Sequence, residues 1–595
     1  MVKMRGAFLA FAAMIAFSTI CTLIGTQDAM SRDHGTRAAA PAAVAPTGSA
    51  YGDLLARIEA LESKPTGNVN APNIRGVKLG MNIRHRFEVR DMMIRDAQNT
   101  ANGAAAGPAG VGELGSVFRT TDGTLRRTFG AGTPGPNGTD GSQHTNVGRD
   151  ETTEFVLQWA RINLDADINK NVRAYIELQD VRTFGEEGST TGRLSRTDVQ
   201  EGYVELRNLG DITGLLKNIE LRVGRWRAAY GDHRLIGSLP WANQTRAYDG
   251  GRLRWDNKKG NWLDVFAWQI DEKESGAANG GILGTSDDED DREEVFYGFY
   301  GHFNVYDGIA FEPYTMIRAR SSEDHQPADT TLGLTGQGNR VATPIGVATG
   351  EQRYTYGFRL DGRKIPGLGG TDFTIEPAWQ FGHTEGIRTI DVGNVARGKN
   401  TNVSNTIQAF AIYAGVGYTF NSLPWSPRIG YAYSFASGDK RPGEGASKTF
   451  DHLYPTGHAH NGYMDMVGWQ NLRDHQVHLN LKPTKKLVID AKLHLMSLDE
   501  EADNMYGVGG GLGYGGGMSI VRQGSDSWVD GGGNIRDVDN TLGQEIDLTV
   551  KYQMFDNFTV VGGYSHFWAD DFIEDTGNGV DRGVDWAYLM TTVKF

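Results

Sequence analysis

Arg353, Arg359, Asp361 and Arg363 stand at even spacing on one stretch of this chain and alternate with Tyr354, Tyr356, Phe358 and Leu360. A guanidinium presents a planar fork of donors that fits a carboxylate or a phosphate. Set two residues apart, such groups fall on one face of an extended strand. The same arrangement recurs along the chain. Arg84 and Arg86 share a face with Asn82 and Glu88, Arg161 with Asn163, Asp165 and Asp167, and Arg173 with Tyr175, Glu177 and Gln179. Arg222, then Arg246, Arg252 and Arg254, continue the series, and Asp490, Lys492, Glu545, Asp547 and Lys551 extend it toward the C-terminus. Two chemistries are open to these residues. They can neutralise one another as cross-strand ion pairs that stiffen a sheet, or surplus arginines can form rings that attract and desolvate anions.

Catalytic chemistry finds little support. His452, His458 and His460 gather near Asp451 and Tyr454, without the HExxH or comparable spacing of metal ligands. No motif singles out a serine with a histidine in reach. The run Asp287 to Glu294, interrupted only by Arg292, lacks the central glycine of a calcium loop and reads as a solvated loop. Gly507 to Gly517 is glycine-rich, but no Lys-Ser/Thr follows it, so a flexible loop accounts for it. The expectation is a protein that is not an enzyme and uses no cofactor or metal. A net charge of −14 also argues against nucleic acid as a partner.

The charged faces need strands to carry them, and apolar residues occupy the opposite side. In the segment 76–90, Val77, Leu79, Met81, Ile83, Phe87 and Val89 oppose Lys78, Asn82, Arg84, Arg86, Glu88 and Arg90. Such alternation, repeated as far as Phe595, is the pattern of an outer-membrane β-barrel, where lipid meets every second residue and the lumen meets the others. Alternating segments fall near 76–90, 155–168, 171–183, 198–208, 218–226, 246–256, 262–270, 294–305 and 308–319. Others fall near 352–363, 372–382, 406–420, 427–436, 475–482, 486–496, 544–554, 557–568 and 584–595. The total is about eighteen, an even number, as single-chain bacterial barrels require. The connections alternate long (91–154, 227–245, 437–474) and short (Asn169 to Asn171, Tyr306 to Gly308). This order is expected when short turns lie in the periplasm and long loops lie outside. A mean hydropathy of −0.43 suits a barrel, which exposes only half of each strand to lipid. The 80 glycines suit turns and loops, and the 22 tyrosines and 12 tryptophans suit the two membrane girdles.

Residues 1–29 read as a signal peptide, with Lys3 and Arg5 ahead of an apolar core from Ala7 to Gly25. Cys21, the only cysteine, lies inside it. Residues 30–50 form an Ala/Pro-rich linker. In 51–64, Tyr51, Leu54, Ile58 and Leu61 give a short amphipathic or coiled-coil helix, through which copies of the chain could form a homo-oligomer. Residues 76–595 then form the barrel, set in the lipid of the outer membrane of a Gram-negative-type bacterium. Phe595, with Val593 and Leu589 at alternate positions before it, resembles the C-terminal signal read by the barrel-insertion machinery.

Two longer stretches carry a family resemblance. They are LRVGRWRAAYGDHRLIGSLPWANQTRAYDGGRLRW (221–255) and SGDKRPGEGASKTFDHLYPTGHAHNGYMDMVGWQNL (437–472). Both resemble the outer-membrane alginate-export family, and the resemblance spans roughly residues 154–595. It implies an eighteen-stranded barrel whose arginine-rich lumen conducts an anionic polysaccharide outward from the periplasm, and it extends that lumen character to Arg161, Arg173, Arg222, Arg252 and Arg254. The chain departs from the family pattern in its 91–154 insertion, its N-terminal coil and its acidic 287–294 loop. The function expected is passive conduction of an anionic solute or polysaccharide along Arg84, Arg86, Arg161, Arg173, Arg222, Arg252, Arg254, Arg353, Arg359 and Arg363. The alternatives are a general diffusion porin whose charges serve as structure, and an adhesive surface barrel plugged by its loops.

Overall fold

A computed structural model describes residues 76–91, 152–184, 197–273, 292–320, 351–386, 403–441, 445–508, 535–576 and 583–595, with short strand segments at 117–119, 125–127, 520–522 and 527–529. The signal peptide, the linker, the 51–64 helix and most of the acidic run lie outside the described residues.

Eighteen antiparallel strands close into one barrel. They are β1 (Val77–Asp91), β2 (Thr152–Asp167), β3 (Val172–Thr183), β4 (Thr197–Leu206), β5 (Ile219–Trp226) and β6 (Tyr248–Asp256). Next come β7 (Trp262–Lys273), β8 (Arg292–Tyr306), β9 (Ile309–Arg320), β10 (Glu351–Gly362), β11 (Thr371–Gly386) and β12 (Val403–Thr419). The last are β13 (Arg428–Ala436), β14 (Leu472–Leu481), β15 (Leu487–Ser497), β16 (Thr541–Phe555), β17 (Phe558–Ala569) and β18 (Val584–Lys594). Each strand pairs with the next in sequence, and β18 pairs back onto β1 with Leu589 opposite Phe87. Closure satisfies every backbone donor and acceptor that an open edge would leave to lipid.

Each segment expected from alternation is one of these strands. Two ends differ. The segment expected from 246 starts as β6 only at Tyr248, because Arg246 turns to the carbonyls of Gly237 and Pro455 instead. β14 begins at Leu472, three residues before its expected start, where it pairs with the end of β13. The turn 207–218 contains two short 3-10 turns, Leu209–Asp211 and Gly214–Leu216.

The two faces of the wall obey the pattern that defined them. Ile162, Leu164, Ile176, Leu178, Val265, Val416 and Leu589 are exposed on the outer surface, as the lipid-facing side of a barrel requires. Their neighbours by one residue, among them Arg161, Glu177, Gln179, Asp264 and Tyr588, are buried inside. The interior holds two apolar clusters. One surrounds Trp226, Tyr230, Phe266, Trp268 and Tyr454, and the other surrounds Tyr463, Met464, Phe567 and Trp586. A lumen with such clusters contains more than the inner faces of its strands.

Candidate functional site: a lumen filled by two loops

Among the described residues, two of the long connections turn inward over long unbroken runs, and parts of those after β15 and β17 (Leu498, Met505, Phe572) are buried beside them. Every residue from Gly231 to Pro240 is buried, and so is every residue from Thr449 to Leu472 except Asp465. These are the central parts of the two stretches that carry the family resemblance. They meet inside the barrel. Ile236 and Tyr454 form a parallel bridge, in which Gly237 N–H donates to the Tyr454 carbonyl (2.8 Å) and Tyr454 N–H donates to Leu235 (2.9 Å). Thr456 N–H extends the pairing to the His233 carbonyl at 2.9 Å. The close approach depends on glycine. A Cβ on Gly237 would stand 2.2 Å from Thr456 Oγ1, and one on Gly231 (φ +56) would stand 2.7 Å from the Tyr300 hydroxyl and 3.2 Å from Arg359 Cδ.

A buried loop must find partners for its backbone polar groups, and the lumenal charges supply them. Arg84 donates to the carbonyls of Pro240 (2.8 Å), Trp241 (2.9 Å) and Ala242 (3.1 Å), while its guanidinium stacks on Trp159. Arg86 pairs with Glu88 at 2.6 Å and lies over the Trp241 ring. Arg161 donates to Gln179 and to Thr245 Oγ1 of the first loop, both at 3.0 Å. Arg353 contacts Glu351 (3.1 Å) and Gln380 (2.8 Å). Arg359 binds Asp232 of the first loop at 3.1 Å, together with Glu312 (2.9 Å) and Asp361 (2.7 Å). On β16 the carboxylates take loop N–H groups: Glu545 accepts from Met464 at 2.9 Å and Asp547 from Tyr463 at 3.3 Å.

The other five predicted arginines lie nearer the periplasmic turns. Arg173 grips Asp165 through two bonds of 2.6 and 2.9 Å. Arg222 binds Glu205 at 2.5 Å and stacks on Tyr203, with 4.3 Å to the ring centre. Arg254 grips Asp264 at 2.6 and 2.7 Å and lies over Trp262. Arg363 pairs with Asp361 at 3.0 Å. Arg252 differs from these four: among the described residues its nearest carboxylates, Asp264 and Glu205, stand 3.8 and 3.9 Å away, and its buried Nε has no partner. Glu205 also pairs with Arg207 (2.5 Å) and stands 3.8 Å from Arg173, so one carboxylate is shared among four guanidiniums.

In the loops, the charged partners decide the protonation of buried groups. Burial alone would raise the Asp232 carboxyl, but Arg359, then Arg234 and Arg363, outweigh it and hold the group below its usual range. Burial, then Arg234 and Lys492, push the His460 imidazole well below its ordinary value. The three clustered histidines have separate tasks. His458 pairs with Asp465 at 3.1 Å, His452 accepts from Trp469 N–H, and His460 meets Arg234.

Arg234 and Arg318 escaped the sequence reading, and Arg246, read there as part of a strand, lies in the first loop instead; each holds the loops together. Arg318 was within reach of it, since it shares a parity with Glu312 and Tyr314 on β9. Arg234 and Arg246 lie in irregular backbone, where no period marks an inward side chain.

The alginate export family matches residues 141–583 of this chain. No curated protein matches it. Among solved structures, the outer membrane protein OpdK from Pseudomonas aeruginosa is 10% identical with a TM-score of 0.45, covering 88% of this chain and 99% of OpdK. OprD from the same organism is 12% identical with a TM-score of 0.43, covering 88% of this chain and 95% of OprD. The family match extends from just before β2 to the threshold of β18 and includes both inward loops, and the chain belongs to the alginate export family.

Proposed function

We propose that this outer-membrane channel passively conducts an anionic solute or polysaccharide, and that the anion follows the wall formed by β2–β7. The observation that carries this reading is the pairing at the periplasmic end of that wall, where Glu220 and Asp256 are taken up by Lys258. Arg173, Arg207, Arg222, Arg252 and Arg254 share Asp165, Asp167, Glu205 and Asp264, which leaves Arg252 without a close carboxylate among the described residues. In a narrow passage with low-dielectric walls, a small surplus of fixed positive charge raises the local anion concentration and repels cations. The facing wall has the opposite balance, because Asp474, Asp490, Glu545 and Asp547 are buried there with Lys492 and His494. Tyr203 and Trp262, beneath Arg222 and Arg254, add flat apolar surface beside the guanidiniums, a combination that suits a sugar ring bearing a carboxylate. Transport requires no covalent step, and the lumenal groups serve as charge and shape.

The test is the reversal potential of the purified barrel in a planar bilayer under a potassium chloride gradient. Preference for chloride is expected. Cation preference, or none, would leave the general diffusion porin as the better account.

A further inference from the structure

Arg318 on β9 and Arg353 on β10 are register partners, so two buried guanidiniums stand side by side on the lumenal face. Like charges directly opposite one another on paired strands are destabilising unless an anion lies between them. Two carboxylates do so here. Glu351 belongs to the wall: it accepts from Arg318 Nε at 2.8 Å and from Arg353 Nε at 3.1 Å. Asp451 belongs to the second inward loop. One of its oxygens accepts from Arg318 Nη2 and stands 3.9 Å from Arg353. Its backbone is clasped as well, since Gln380 on β11 donates to the Asp451 carbonyl at 2.6 Å and accepts from its N–H at 2.9 Å. Arg318 Nη1, equally buried, has no acceptor among the described residues.

The charge count separates this pair from the other arginines. Arg359 would keep Glu312 and Asp361 if the first loop withdrew Asp232. Of their ion pairs among the described residues, Arg318 and Arg353 would keep only Glu351 if the second loop withdrew Asp451, because nearby Glu294 is paired with Arg320. Withdrawal therefore uncovers a site with one surplus positive charge, a free guanidinium edge and the Gln380 amide beside it. That is a receptor for a carboxylate.

We infer that Arg318, Arg353 and Gln380 form a carboxylate-binding site, which Asp451 occupies in the closed channel as a tethered stand-in for the solute. A carboxylate-bearing solute that enters the lumen displaces Asp451, and the 445–471 segment leaves the wall with it. Opening then follows from competition between two carboxylates for the same donors, and a solute without a charge has no means of driving it. The inference rests on the anion-channel reading and specifies how that channel is regulated.

Single-channel recording with glucuronate, and with glucose as the neutral control, tests it. In the unaltered protein, glucuronate is expected to raise open probability about tenfold and glucose to leave it unchanged. Asp451→Asn keeps an oxygen for the Leu453 N–H, which Asp451 Oδ1 now accepts at 2.7 Å, but it removes the competing charge. This variant is expected to be open already and indifferent to glucuronate. The variant Ile236→Cys/Tyr454→Cys places a disulfide across the bridge between the two loops. Oxidised, it should no longer respond to glucuronate, and reduction should restore the response, so the question is answered even if the asparagine variant fails to insert. Equal responses to glucose and glucuronate, or an oxidised tether that still opens, would overturn the inference. A chloride-selective reversal potential alongside either result would leave the anion channel standing while its latch fell. Cation selectivity would remove the anion channel itself.

Discussion

Arg222 on β5 lies directly opposite Arg252 on β6, and Glu220 lies opposite Arg254. Two like charges face each other across the ladder, and the nearest relief comes from Glu205 on β4 and Asp264 on β7. Arg222 takes Glu205 and Arg254 takes Asp264, so Arg252 is the member left over.

Replacing Arg252 with glutamine should therefore reduce the chloride preference of the channel severalfold while costing little stability. The side chain gives up no short ion pair, and its charge is repelled by Arg222 and Arg254. Reversal potential measures the first effect and heat-modifiable migration of the folded barrel measures the second. A variant with unaltered selectivity would mean that Arg252 lies off the conduction path.

Arg359→Gln should behave differently, although the two residues read alike in the sequence. Arg359 is the shared ion-pair partner of Asp232, Glu312 and Asp361. Removing one partner of a buried ion pair costs about 3–5 kcal/mol, because the other charge is left uncompensated. The expected outcome is a barrel that loses its heat-modifiable form at a lower temperature and whose first loop is cleaved more readily by added protease. Normal thermal migration would show that the three carboxylates find other relief.

Deleting Phe595 should impair insertion. Phe595 N–H donates to the Met81 carbonyl at 3.0 Å and its carbonyl accepts from Met81 N–H at 2.9 Å, so the last residue completes the seam between β18 and β1. Without it, the end of β1 presents unpaired groups to lipid. Outer-membrane levels of folded barrel in the deletion strain should fall, with aggregated protein in the periplasm. Unchanged levels would show that the seam closes without its last pair.

Acidification to about pH 4 should leave the Asp451 contact closed. Burial raises this carboxyl, but Arg318, Arg353 and nearby His452 outweigh it and hold it far below the usual range. A carboxyl depressed in the folded state contributes stability that is complete above its unfolded value of about 3.9 and is lost only as pH falls through the folded value. Open probability without solute should therefore match at pH 7 and pH 4. Opening between those values would place the control of the loop in another group.

Alternation alone determined the barrel. The lipid face and the lumen face impose a period of two on every strand, so Phe87, Ile162 and Leu589 could be assigned outward and Arg84, Arg161 and Arg222 inward without coordinates. The connection lengths supplied the order of turns and loops for the same reason, since only one end of the barrel carries long segments. What alternation could not contain was the relation between strands distant in sequence. Whether Arg359 meets solute or Asp232 depends on where 227–247 goes after leaving β5, and irregular backbone has no period from which to read a direction. The surplus at Arg252 is likewise a matter of register, because one residue of slip between β5 and β6 would have set it opposite a different neighbour. The two loops were marked in the sequence as the stretches carrying the family resemblance. Their meeting at Ile236 and Tyr454, 218 positions apart, was decided by the closed wall, which brings the mouths of β5 and β13 to face one enclosed space.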